Sequence, residues 1–151
     1  CNKMIIFQVL ADSVIALQPL YNKYVENGNV KGIMLLEYEI GCAIFRLPNK
    51  NERELLWTGL SSVESLKPNV KRSKDHIYPR KIGAYKLLNT DWTKIEDSGK
   101  YVEDLYYNKL GKYNFVTQTE NKRLVKYQKR AVFTTWQDAY SKAGIQLVEE
   151  Q

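Results

Sequence analysis

Residues 112–130 constrain the fold more than any other stretch. Lys112–Gln118 (KYNFVTQ) alternates aromatic and β-branched residues as a strand does. It passes into Thr119–Arg130, where Thr119 as cap and Glu120 behind it mark a helix start, followed by a long run without Gly or Pro. A strand that leads straight into a helix commits the chain to a mixed α+β class. With 151 residues, 44% hydrophobic and 26% charged, the chain is globular and large enough for one domain with a modest second lobe.

Around that unit the pattern is mostly helical. Residues 4–27 place Ile6, Val9, Leu10, Val14, Leu17, Tyr21 and Tyr24 at helical spacing, with Pro19 expected to kink or split the helix and Asn27-Gly28 to stop it. Residues 32–47 are apolar enough to be buried, as helix or as strand. Pro48–Asn51 reads as a turn or linker, Glu52–Leu60 as a short helix ending near Gly59, and Ser61–Lys71 as polar connection. Ser73–Lys81 suits an extended segment limited by Pro79. Lys81–Leu88, Val102–Leu110 and Thr135–Ala143 read as helices, the last burying Trp136, Ala139 and Tyr140.

No apolar run approaches the ~20 residues a membrane span needs, and Met4–Leu10 lacks the features of a signal peptide. We therefore expect no membrane partner. Two cysteines, Cys1 and Cys42, can build neither a disulfide framework nor a four-Cys zinc site, which predicts a reducing compartment and no zinc. A first residue of Cys leads us to expect that the numbering starts inside a longer chain.

The net charge of +6 is concentrated in two places. Residues 71–82 and 121–130 each hold five Lys/Arg, against one Asp between them, so those 22 residues carry +9 and the other 129 carry −3. Such patches in an otherwise acidic chain predict a polyanionic partner, most commonly nucleic acid. On a continuous helix at 100° per residue, Lys122, Arg123, Lys126, Lys129 and Arg130 would share an arc of about 120°. Asn121 would lie on the inner flank with Leu124, Val125 and Gln128.

His76, the sole histidine, follows Asp75 at the centre of the first patch. A carboxylate can hold a hard cation, and an imidazole titrating near ~6.5 can deprotonate water. An amide at Asn121 can be a neutral oxygen ligand for Mg²⁺. The same residues also read as a structural histidine and a simple helix cap. Most of the aromatics suit cores, Tyr106-Tyr107 beside Lys109 being the best prospect for touching nucleic acid; Glu37 and Glu39 read as surface.

Lys74-Asp75-His76-Ile77-Tyr78-Pro79-Arg80 resembles the first strand of the HNH nucleases. Tyr113–Asn121 (YNFVTQTEN) is similar to the second strand and helix start of their H-N-N variants. The resemblance covers roughly residues 72–130. It implies a ββα-metal catalytic core and a metal-dependent DNA endonuclease, sequence-specific, of homing or phage type, in the cytoplasm of a bacterial or phage-infected cell. It makes Asp75 and Asn121 ligands of one Mg²⁺ or Mn²⁺, His76 the general base and Asn114 the residue that orients it, although the commoner pattern has its middle Asn where this chain has Lys112. Arg72, Lys74, Arg80 and Lys81, with Lys122, Arg123, Lys126, Lys129 and Arg130, would contact the backbone of double-stranded DNA.

The expected organisation is a mainly helical region at 1–60, a nuclease core at 61–134 with a helical insertion at 82–111, and a C-terminal helix at 135–151. Residues 32–47 are the candidate surface for a homodimer. A non-catalytic nucleic-acid-binding protein on the same scaffold is the alternative.

Overall fold

The computed structural model describes residues 3–47 and 55–150. Two long helices come first, α1 (Lys3–Glu26) and α2 (Val30–Phe45). Pro19 lies within α1 and does not split it. Phe7, Leu10, Ala11, Val14 and Tyr21 form its buried stripe, while Ile6 and Val9 face outward. The 32–47 ambiguity resolves as helix, begun by Asn29, whose side chain accepts from the Gly32 amide.

The sheet follows. Strand β1 (Trp57–Ser62) occupies residues expected to be helical, so the N-terminal region is not purely helical; residues 52–54 of that expected helix lie outside the described residues. Gly59, at φ +85°, sits where the β1–β3 register slips, a bulge conformation few other residues tolerate. Strand β2 (Arg72–His76) ends sooner than expected because Pro79 caps α3 (Arg80–Leu88). After α4 (Ser98–Leu105) comes a π-helical turn, Tyr106–Leu110, then β3 (Tyr113–Thr117) and α5 (Gln118–Leu124). Finally α6 (Trp136–Lys142) precedes β4 (Leu147–Glu149), a strand within the segment expected to be helical only.

The strand order is β2-β3-β1-β4, with β1 parallel to β3 and both outer strands antiparallel to their neighbours. The α+β class is thus observed, and β2 is an edge strand. Successive side chains of a strand alternate between faces, and each face has its own core. Tyr113 joins the larger cluster formed with α1 to α4, and Val116 joins the smaller one with Leu124, Ala139, Tyr140 and Ile145. Gln18 ties the helical layer together, its amide donating to the carbonyls of Leu88 (2.9 Å) and Thr90 (2.7 Å). No helix among the described residues is long and apolar enough to cross a membrane.

Candidate functional site

The antiparallel β2–β3 pair, joined through α3 and α4, runs into α5, and this strand-pair-and-helix unit carries the residues singled out above. Its helix start is fixed by Thr117, not Thr119. The Thr117 hydroxyl accepts from the Glu120 amide (3.0 Å), and the Glu120 carboxylate accepts from the Thr117 amide (2.9 Å). Ser62 of β1 donates to the same carboxylate at 2.6 Å, which ties the start of α5 to the sheet. Asn121 is the next residue, half-buried, one helical turn ahead of Leu124 in the smaller core.

Register decides which side chains meet. Asp75 pairs with Asn114, and His76 with Tyr113. Asp75 and Asn114 therefore point to the face covered by α5 and α6, and His76 to the opposite one. The expectation that Asn114 orients His76 is overturned by this alternation. The Asn114 carbonyl instead accepts from the Thr58 hydroxyl. Its Nδ2, sealed from solvent, meets no partner at hydrogen-bonding geometry, though it is close enough to the Tyr140 hydroxyl to pull that phenol's pKa slightly down.

Asp75 is 5% exposed. The Tyr140 hydroxyl donates to its Oδ2 at 2.6 Å and the Gln128 amide to its Oδ1 at 2.9 Å. Burial holds the carboxyl above its ordinary range, and those two donors partly offset the shift. Tyr140 is pushed far up by burial and then by the Asp75 charge, so it stays a donor. Nothing local in sequence joins Asp75 to Tyr140 or Gln128; the reading of Tyr140 as core was right about its ring and missed its hydroxyl.

On the other face, His76 stacks on Phe45 of α2 with ring centroids 4.2 Å apart, and its edge approaches Tyr113 at 6.1 Å. It lines a cleft of about 240 Å³ with Phe45, Leu56, Lys74, Tyr106, Gly111 and Tyr113. The Lys74 ammonium lies 4.8 Å above the Tyr113 ring. Arg80 packs across Phe45 from the first turn of α3, its guanidinium 4.8 Å from that ring.

The expected basic stripe is only partly built. α5 stops at Leu124, followed by a 3₁₀ turn at Val125–Tyr127, so the arc drawn on a continuous helix to Arg130 does not exist. Lys122, Arg123, Lys126 and Lys129 are exposed, as are Lys74, Arg80 and Lys81. Arg130 instead places Nη1 2.7 Å from both carboxylate oxygens of Glu37. Glu37, expected at the surface, is 5% exposed. Arg72 is also committed elsewhere, to Glu150 and Ser61 at 2.7 Å each and to the face of Phe115. Tyr106 is buried and Tyr107 half-buried, both rings against Phe7, which removes them as base-stacking platforms.

Among the described residues no group of three or more His, Cys, Asp and Glu gathers. On this face lie the Asp75 carboxylate, the Glu120 carboxylate, which is taken up by Ser62 and the Thr117 amide, and the side-chain amide of Asn121 on α5. Each Asp75 oxygen accepts one hydrogen bond and keeps further lone-pair capacity. A hard cation held by few protein oxygens and several waters, as Mg²⁺ prefers, would need Asp75 opened from Tyr140 and Gln128. Comparison with protein-family models, with curated proteins and with solved structures finds no match for this chain.

Proposed function

We propose that this chain is a metal-dependent DNA endonuclease, with His76 as the base and Asp75 and Asn121 holding one Mg²⁺ or Mn²⁺. The observation that carries the proposal is the place of the Asp75-His76 pair: it ends an edge strand. In-line displacement at phosphorus needs the nucleophile and the leaving oxygen on opposite sides of the reacting atom. Consecutive residues of an edge strand reach round its two faces. A phosphodiester docked against the open edge of β2 would have His76 on one side and Asp75 on the other.

The surroundings supply the remaining requirements. His76 takes a proton from water, and its stacking on Phe45 fixes the plane of its ring. The first turn of α3 has no side-chain cap and no acid, and it carries Arg80 and Lys81. Its amides and those two cations suit a neighbouring phosphate. Lys122, Arg123 and Lys126 sit exposed on and just after α5 and would hold the DNA backbone without reading sequence. When bound, the cation would lend positive charge to the leaving oxygen.

A non-catalytic nucleic-acid-binding protein on the same scaffold is the second reading. One observation favours it: Asp75 is closed off by Tyr140 and Gln128. Supercoiled plasmid incubated with Mg²⁺ or Mn²⁺, beside fragmented phage and bacterial genomic DNA, separates the two. Cleavage abolished by EDTA supports the endonuclease. Salt-sensitive binding without cleavage of any DNA overturns it in favour of the binder.

A further inference from the structure

The outward face of α2 is apolar where a surface helix is ordinarily polar. Val30, Met34, Leu35 and Tyr38 are 63%, 52%, 56% and 52% exposed. The opposite side of the same helix buries Leu36, Ile40 and Ile44 against the core. A helix that is apolar on both sides needs cover on both. Lys31, Leu35 and Tyr38 recur at four and then three residues, which places them within about 60° of one another. That spacing is the stripe two helices share when they lie side by side.

The charges on this face say what covers it. Lys31 and Glu39 are both exposed and lie one on each side of Leu35, four residues away. If a second α2 lies antiparallel about a two-fold axis at Leu35, each Lys31 faces the partner's Glu39, and Leu35 meets the partner's Leu35. A two-fold interface must be self-complementary in this way. A parallel pairing would set Lys31 against Lys31 and Glu39 against Glu39.

We propose that the chain forms an antiparallel homodimer through the outer face of α2, centred on Leu35 and closed by two reciprocal Lys31–Glu39 pairs. Centred on Leu35, the two α2 helices overlap over residues 30–40, about 16 Å, a contact smaller than a standard interface, so the dimer is weak and reversible. It stands independently of the nuclease reading, since none of its residues lies in that site.

Sedimentation equilibrium from micromolar to submillimolar protein tests it. The wild type should move from monomer to dimer across that range, and Leu35→Glu should stay monomeric; that variant keeps the wild-type core because the side chain at position 35 is outside it. Lys31→Glu and Glu39→Lys should each weaken the dimer about tenfold, two attractive pairs becoming repulsive. The double variant Lys31→Glu/Glu39→Lys should recover wild-type affinity. A wild type that stays monomeric throughout overturns the proposal, and co-pelleting of that monomer with phosphatidylglycerol vesicles would reassign the face to lipid. A dimer that persists in Leu35→Glu, or a double variant as weak as the singles, also overturns it.

Discussion

Tyr140→Phe isolates the contact that holds Asp75. The ring of Tyr140 packs among Val116, Leu124, Ala139 and Ile145, and phenylalanine keeps that packing. What is lost is one hydrogen bond of 2.6 Å to a carboxylate that is 5% exposed. A hydrogen bond to a charged buried group contributes about 2 kcal/mol, which for a chain of this size lowers Tm by roughly 4–8 °C. The loss carries a pH signature. Burial raises the folded pKa of Asp75 above the ordinary 3.8, so this group favours the native state at pH below 3.8, and that contribution disappears as pH rises through the folded value. Removing a donor to the ionised form raises the folded value further. The gap between wild type and Tyr140→Phe should therefore be largest at high pH, where Asp75 is ionised, and should shrink as the pH is lowered and Asp75 is protonated in both proteins. Thermal unfolding by circular dichroism over a pH series that runs from alkaline pH down to the ordinary carboxylate value of 3.8 reads both quantities. A gap that is absent, or that stays constant over that range, would refute the reasoning.

Three other predictions bear on the frame around the site. Arg130→Ala should destabilise by about 1–3 kcal/mol in denaturant unfolding, because it strands the buried Glu37 carboxylate; Glu37→Gln combined with it should recover part of the loss. Thr117→Ala removes the cap that starts α5 and should cost about 1 kcal/mol by the same measurement. Lys126→Ala removes an exposed cation; in DNA-binding titrations against salt it should reduce the log–log slope by about 0.9, whereas Arg72→Ala, whose guanidinium is held by Glu150, should leave the slope unchanged.

Local signals recovered what local physics decides. α1 and α6 follow from apolar spacing and stop residues, while α3 and α4 lie close to the helices expected at Lys81–Leu88 and Val102–Leu110, α4 beginning four residues earlier and passing into a π turn. The start of α5 was also within reach: the Thr-x-x-Glu spacing of a capping box selects Thr117, since Glu120 stands three residues after it and only one after Thr119. β1 was not legible, because its pairing with β3 and β4 comes from residues roughly fifty or more positions away and its bulge at Gly59 breaks the alternation. Glu37 looked like surface because its partner Arg130 is 93 residues distant. At the site, the Asp75-His76 pair was visible as a dipeptide, but its division between two faces depends on strand register, and the closure of Asp75 depends on Tyr140 from the far end of the chain.

The most direct test of the site is cleavage by His76→Ala, assayed on supercoiled plasmid and phage genomic DNA with Mn²⁺, alongside Mn²⁺ binding by electron paramagnetic resonance and DNA binding by anisotropy. The account predicts that His76→Ala loses cleavage and keeps both kinds of binding, because His76 lies on the face opposite Asp75 and outside the basic residues of α5. Metal-dependent cleavage that survives His76→Ala would contradict it.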